Sequence, residues 1–311
     1  MGLENERVKF LDVGHGDSSV IYLKGKQSGN ESVIIIDIAD AEKLLEELNS
    51  NHVNVIDWLI LSHTDEDHCR GVNSFIEKYI QKGKIERICY NFDREKLTKH
   101  MRLFRTKFRE LYKGNRIHLE PGEFSTSENY IKLISNRKAN FIMLYPNKAE
   151  LDEALEKHST NNASIVCLLE TNTCRILFSG DLEEDGWRSL LRRMPDLKCD
   201  VLKMPHHGAF YDGKKGIGLT EILDVLNPRD AIISSRNHEG YRHPDQRTID
   251  LLKDKQIQIY CTEYTKLCNC DIGKYDKKCY GCIEVAATDF GYEIKTETDN
   301  RPLFDHAACS G

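Results

Sequence analysis

Short apolar runs broken by glycine and polar residues alternate with stretches of helical spacing along this chain. Val8–Val13, Ser18–Leu23 and Val33–Asp37 read as strands, separated by the tight turn Gly14-His15-Gly16-Asp17 and by a polar segment at 25–32. Such spacing predicts an antiparallel meander. Ala41–Leu48 and Gly71–Ile80 carry apolar positions at helical intervals, and 55–61 is a further apolar strand between them. From Asp93 to Arg116 the pattern is helical and basic, with Leu97, Met101, Phe104, Phe108 and Leu111 as its apolar stripe.

The second half repeats this logic. Ser164–Leu169 and Cys174–Ser179 predict a strand pair, Glu184–Met194 a helix, and Asp200–Met204 a strand. Gly218–Leu226 predicts another helix and Asp230–Ser235 a further strand. The expected fold is α/β, with two mixed sheets stacked between helices and polar residues gathered at strand ends from both halves.

The densest candidate chemistry follows the 55–61 strand. His63, Asp65, Asp67 and His68 come within six positions as that strand would surface into a loop. Imidazole and carboxylate are good ligands for Zn, Mn or Fe(II), and crowding them makes sense mainly around a metal. Asp181 ends a strong apolar strand, with Gly180 before it to let the backbone turn, and His206-His207 end the next. Each of these is weak alone, since a strand-end Asp is often a helix cap and a His pair often surface. Together they give an ordered set of His, Asp, Asp, His, then Asp, then His.

Bulk properties bound the picture. The 311 residues, 40% hydrophobic and 30% charged, suffice for one large domain or one domain with an appendage. No apolar run could cross a bilayer, the charged N-terminus lacks a secretory pattern, and Glu6 breaks a myristoylation signal at Gly2, so a cytoplasmic protein without membrane contact is expected. A net charge of −6 argues against a chain coated in nucleic-acid-binding surface, yet leaves room for a local basic track. Eleven cysteines, an odd number, make a disulfide framework unexpected. Cys268, Cys270, Cys279 and Cys282 fall in a lysine-rich stretch; they are either a structural Zn site or unpaired thiols in a hairpin.

In motif order the chain resembles the metallo-β-lactamase superfamily. The matching residues are His63-x-Asp65-x-Asp67-His68-x-x-Gly71, Phe178-Ser179-Gly180-Asp181 and Lys203-x-x-His206-His207-Gly208. Within it, the hydrolase domain of ComEC-type DNA-uptake proteins is the nearer likeness. Leu11-Asp12-Val13-Gly14-His15-Gly16-Asp17, Ile36-Asp37, Asn161-Asn162-Ala163-Ser164 and Asn237-x-x-x-Tyr241-x-His243-Pro244 support it, and the likeness spans about 8–260. The resemblance implies an αββα sandwich over 1–260, with a basic helical insertion at about 93–116, and a Cys-rich hairpin and tail at 261–311 packed on the same domain. Gly281–Val285 would be the returning strand of that last hairpin.

The resemblance also implies one or two divalent ions, Zn or Mn. His63 and Asp65 would bind the first, Asp67 and His68 the second, Asp181 would bridge them, and His206 or His207 would complete the set, with His207 slightly favoured. Asp37 would brace the ligand loop. His15, Asp17, Asn161, Asn162, Ser164, Arg236 and Arg242 would act around the ligands or on substrate. Asp65 stands where the superfamily commonly has a second His, which shifts preference from Zn toward Mn. A ligand His between the second and fourth motifs is not evident; Asn161, Asn162 or His158 lies near that point.

The expected activity is metal-dependent phosphodiester hydrolysis of DNA or RNA, with Asp67 or Asp181 orienting the water and His243 as proton donor or phosphate contact. Arg236, Arg242 and the basic helix would hold the substrate backbone. The membrane helices of ComEC have no counterpart here, so a stand-alone hydrolase acting with a separately encoded partner is expected. Two alternatives stay open. One is hydrolysis of a small ester, lactam or nucleotide, and the other is a metal-stabilised regulatory or binding module of a multiprotein system.

Overall fold

The computed structural model describes residues 6–24, 31–91, 98–113, 130–234, 243–263, 265, 267 and 280–297. The first sheet begins with the expected meander, β1 (Arg7–Phe10), β2 (Ser19–Lys24) and β3 (Glu31–Ile36), all antiparallel. Helix α1 (Ala41–Ser50) starts on an Asp40 side-chain cap and leads to β4 (Val55–Leu61), parallel to β3. A single turn, α2 (Glu66–Cys69), then α3 (Val72–Tyr79), precede β5 (Lys84–Tyr90), again parallel. Helix α4 (Lys99–Lys113) follows.

The second sheet mirrors that plan. β6 (Ile131–Ser135) and β7 (Ala139–Tyr145) form a hairpin, α5 (Lys148–Glu156) follows, and β8 (Val166–Thr171) and β9 (Arg175–Phe178) continue the antiparallel half. After α6 (Glu184–Arg193) come β10 (Val201–Lys203), α7 (Leu219–Leu226), β11 (Asp230–Ile233), α8 (Gln246–Asp254) and β12 (Gln258–Cys261), whose strands are parallel. The last pair, β13 (Ile283–Thr288) and β14 (Gly291–Thr296), returns to the first sheet. The sheet orders are β14-β13-β1-β2-β3-β4-β5 and β12-β11-β10-β9-β8-β7-β6, seven strands each.

Two-residue alternation makes this an αββα sandwich, because successive strand side chains point to opposite faces. On β2, Ile21 and Leu23 enter the core between the sheets, while Val20 and Tyr22 face α1 and α3. On β8, Cys167 and Leu169 enter the same inter-sheet core, while Val166 and Leu168 join Trp187, Leu190, Leu223 and Leu252 under α6, α7 and α8. Phe178 anchors the central layer, with its ring centroid 5.8 Å from Phe10 and 6.2 Å from Phe141. Among the described residues no helix is long and apolar enough to cross a membrane.

One sequence expectation changes. Residues 281–285 do not return from a hairpin with the preceding strand. β12 closes the second sheet, and β13 opens a new hairpin on the first, because Ile283 and Val285 complete the inter-sheet core beside Val8 and Phe10. The basic helix is described over Lys99–Lys113 only; there Met101, Phe104 and Phe108 are buried, the two Phe rings edge-on to Tyr90. His100 lies 3.2 Å from Glu66, and the His100 carbonyl accepts from Asn73, which ties α4 to the α2–α3 region.

Candidate metal centre

The chain crosses from strand to loop at one end of both sheets, and the polar residues of the opening cluster gather there. His63 follows β4, Asp67 and His68 ride on α2, Asp181 follows β9, and His207 follows β10. Several backbones there are left-handed at residues with side chains: Asp37 has φ 62°, His206 46° and His207 52°. That conformation costs an L-residue about 1–2 kcal/mol and persists only where surrounding contacts impose it.

Gly16 shows how tightly the loops are fitted. Its φ is 122°, and a Cβ there would stand 2.1 Å from the Asp67 carbonyl oxygen, which already accepts from Asp17 N–H at 3.2 Å. Arg70 adds a second clamp, donating to the His15 carbonyl at 2.5 Å. Gly16→Ala is therefore expected to cost about 3 kcal/mol or more, read as a lower urea midpoint at unchanged slope. An unchanged midpoint would show that the loop can move off α2 freely.

Hydrogen bonds decide which ring nitrogens face the centre. Ser62 N–H and Oγ–H donate to the two oxygens of Asp37 at 2.6 and 2.7 Å, and His68 Nδ1 donates to Asp37 Oδ2 at 2.8 Å. His68 Nε2 is thereby left pointing inward, 3.3 Å from Asp181 Oδ1 and 3.3 Å from His207 Nε2. His207 Nδ1 donates to the Ser234 carbonyl at 2.8 Å, so its Nε2 also faces inward, 3.2 Å from Asp67 Oδ2. An imidazole whose outer nitrogen is held this way is oriented as a metal ligand would be. Donor atoms of Asp17, His68, Asp181 and His207 all lie within 4.8 Å of one another, and all four residues are buried.

On the other side of Asp181, His63 Nε2 lies 3.7 Å from Asp181 Oδ2 and 3.9 Å from Asp65 Oδ2. That nitrogen is buried without a hydrogen-bond partner among the described residues, a costly state unless something else occupies it. His206 Nε2 is 3.8 Å from Asp181 Oδ2 and its Nδ1 3.8 Å from Glu183 Oε1. Burial works against ionising Asp181, yet His68, His207 and His63 beside it hold its carboxyl well below the usual range. For His68 burial likewise opposes the charge, and Asp181 and Asp37 outweigh it, raising the imidazole well above its ordinary value. His63 goes the other way, pushed down by burial and by His68. A neutral, orphaned His63 Nε2 beside an ionised Asp181 is a donor set that fits a divalent cation.

The remaining sequence candidates fall around this centre. Asp37 braces it, as given above, and His15 Nε2 lies 3.2 Å from Asp67 Oδ2. Ser164 Oγ accepts from Asp181 N–H at 3.2 Å, and Asn162 Oδ1 accepts from Glu183 and Gly186 N–H. Asn161 donates to Glu183 at 2.9 Å. His243 lies tilted against His206, ring centroids 5.2 Å apart, and is pushed down to about 4 by burial, then by His206 and His207. His158 closes α5 and is not in the four-residue donor group. Arg236, Arg242, Cys268, Cys270 and Cys279 lie outside the described residues. Cys282 Sγ accepts from Asp12 N–H at 3.4 Å. Sequence reasoning passed over Ser62 and Glu183, whose only signal is adjacency to ligands, and gave no role to Lys203, a charge inside the apolar run Val201–Met204.

Residues 12–212 match the family model of the metallo-beta-lactamase superfamily. ComE operon protein 3 of Bacillus subtilis (strain 168) is 27% identical over 226 residues, covering 71% of this chain and 25% of that protein. The chain thus spans about a quarter of the length of that curated relative. Among solved structures, human tRNase Z in its short form aligns with a TM-score of 0.42 at 11% identity, over 75% of this chain and 93% of that one. Zn(2+)-bound PqqB from Methylobacterium extorquens gives 0.47 at 7% identity, over 82% and 97%. With its family model matched from the β1–β2 loop to beyond His207, the chain belongs to the metallo-beta-lactamase superfamily.

Proposed function

We propose that this chain hydrolyses phosphodiester bonds in nucleic acid, using two divalent ions held on either side of Asp181. The superfamily and the His/Asp donor set make it a metal-dependent hydrolase by class. The observation that carries the finer reading is the distribution of carboxylates. Asp65 lies 3.9 Å from His63, Asp67 lies 3.2 Å from His207, and Asp181 lies within 3.9 Å of His63, His68, His206 and His207. Hard oxygen donors on both sides suit ions that also take phosphate oxygens, and they favour Mn over Zn.

Such an ion pair supplies Lewis acidity, water of lowered pKa near neutral pH, and a clamp on attacking and leaving oxygens. The protein's own part is positional. Asp37 and the Ser234 carbonyl fix the tautomers of His68 and His207, and Ser164 and Gly180 set the direction of Asp181. His243, neutral at pH 7 and set at a tilt against the rim imidazole of His206, would contact the substrate phosphate or leaving oxygen. Helix α4 offers Lys99, Arg102 and Arg109 on exposed positions beside α2, a track along which a phosphate backbone could run.

The test is a panel of single- and double-stranded DNA and RNA, cyclic nucleotides and a chromogenic ester. Each is assayed with Mn and with Zn on protein of measured metal content. Polynucleotide cleavage supported best by Mn, and weakened as salt rises, is the expected result. Turnover confined to the ester or cyclic nucleotides would move the reading to small-molecule hydrolysis. Metal uptake without any turnover would favour a metal-stabilised module.

A further inference from the structure

Lys203 brings a buried positive charge to the edge of the donor cluster. It sits on β10, 4% exposed, and its Nζ lies 2.8 and 2.9 Å from the two oxygens of Asp17, itself 5% exposed. The two residues come from opposite sheets, Asp17 from the loop before β2 and Lys203 from the end of the strand that leads to His207, so this contact spans the sandwich beside the centre. The Asp17 carboxylate also belongs to the four-residue donor group, with an oxygen 3.9 Å from His68 Nδ1. Geometry alone would therefore allow Asp17 to coordinate an ion.

We propose that Lys203 is a positioning residue that claims the Asp17 carboxylate, keeps it out of the ion's coordination shell, and offsets its charge. The first argument is geometric. Both Asp17 oxygens are within ion-pair distance of one ammonium, whereas the nearest imidazole nitrogen is 3.9 Å away. A carboxylate held so by a desolvated ammonium gives up that contact only at large cost. The second argument is charge. Asp17, Asp37, Asp65, Asp67 and Asp181 converge on the centre. Glu183, 3.8 Å from His206 Nδ1, adds a sixth carboxylate, and Lys203 is the buried ammonium that offsets the Asp17 charge within this anionic cluster. The third is backbone fixation, since the Lys203 carbonyl accepts from Ser179 Oγ at 2.6 Å, placing β10 and the Asp181 turn in one frame.

This inference rests on the metal assignment proposed above. It is tested on the full chain with Mn(2+) as probe, by equilibrium titration of ion affinity and by thermal unfolding after chelation, in Lys203→Met, Asp17→Asn and the double variant. Lys203→Met frees the carboxylate to join the ion and should tighten Mn(2+) binding about tenfold or more. Asp17→Asn leaves an unbalanced ammonium near the ion and should weaken binding by a similar factor. The double variant buries neither charge, so it should fold, and it should bind within about threefold of wild type, the two charge changes cancelling. In the chelated protein both single variants should melt about 6 °C or more lower, with the double variant losing less than their sum. Opposite signs for the single variants separate charge balance from a merely structural role, which would weaken both. A double variant that binds as poorly as Asp17→Asn makes Asp17 a ligand and overturns the proposal. Absence of Mn(2+) binding in wild type overturns this inference together with the reading on which it rests, whereas wild-type binding lost in the double variant overturns this inference alone.

Discussion

Asp67→Ala combined with Asp181→Ala should abolish Mn-supported polynucleotide cleavage, a loss of about three decades or more, while the fold survives. Asp181 is the group on which every inward imidazole converges. His68 lies at 3.3 Å, His63 at 3.7 Å, His206 at 3.8 Å and His207 at 3.9 Å from its oxygens. Removing it leaves four imidazoles facing one another without the anion that would bridge two ions. Asp67 contributes the carboxylate that meets His207 Nε2 at 3.2 Å, so its loss strips the second ion's side as well. Neither residue builds the hydrophobic core, which lies in the inter-sheet layer and under the helices. Near-UV circular dichroism of the metal-free variant should therefore stay close to wild type, while its unfolding midpoint falls as the buried His68 loses Asp181. Undiminished cleavage by the double variant at the same ion concentration would remove the proposed site from the reaction.

How legible this was in the sequence depended on how local each signal is. Val20-Ile21-Tyr22-Leu23 alternates between two cores, and that alternation is written in four consecutive residues. The candidate ligands at strand ends are equally local, because a buried strand must surface where His63, Asp181 and His207 appear. Partnership across the sandwich is different. Whether Lys203 would meet Asp17 depends on the loop before β2 closing over β10, 186 positions away along the chain. The fate of β13 has the same cause: Ile283-Glu284-Val285 reads as a strand from its own pattern, but only tertiary packing selects β1 as its neighbour. Ring orientation is as distant a property: for His207 it is set by a carbonyl 27 residues later at Ser234. No pattern of residue types carries that information.

That orientation yields the second large effect. His207 is 2% exposed, with Nδ1 locked to Ser234 and Nε2 facing Asp67, His68 and Asp181. His206 has a side chain 23% exposed; it reaches Asp181 Oδ2 at 3.8 Å, as near as His207 does, but behind it stands Glu183 at 3.8 Å and not a buried carbonyl at hydrogen-bond distance. If the two imidazoles serve opposite sides of Asp181, their loss should be unequal and separable. His207→Ala should reduce bound Mn(2+) from two ions to one and cut turnover about a hundredfold or more, because a preoriented ligand is lost together with its support. It should also lower the midpoint of the chelated protein, since the Ser234 carbonyl loses its buried donor. His206→Ala should weaken the other ion by roughly tenfold and leave the metal-free midpoint unchanged, because its ring lies at the solvent edge. Metal counts by elemental analysis on each variant, set beside titrations, distinguish these outcomes. A His206→Ala variant that loses an ion outright, beside a His207→Ala variant that keeps both, would reverse the assignment. It would also place the deeper imidazole in a packing role, with the rim carrying the ion.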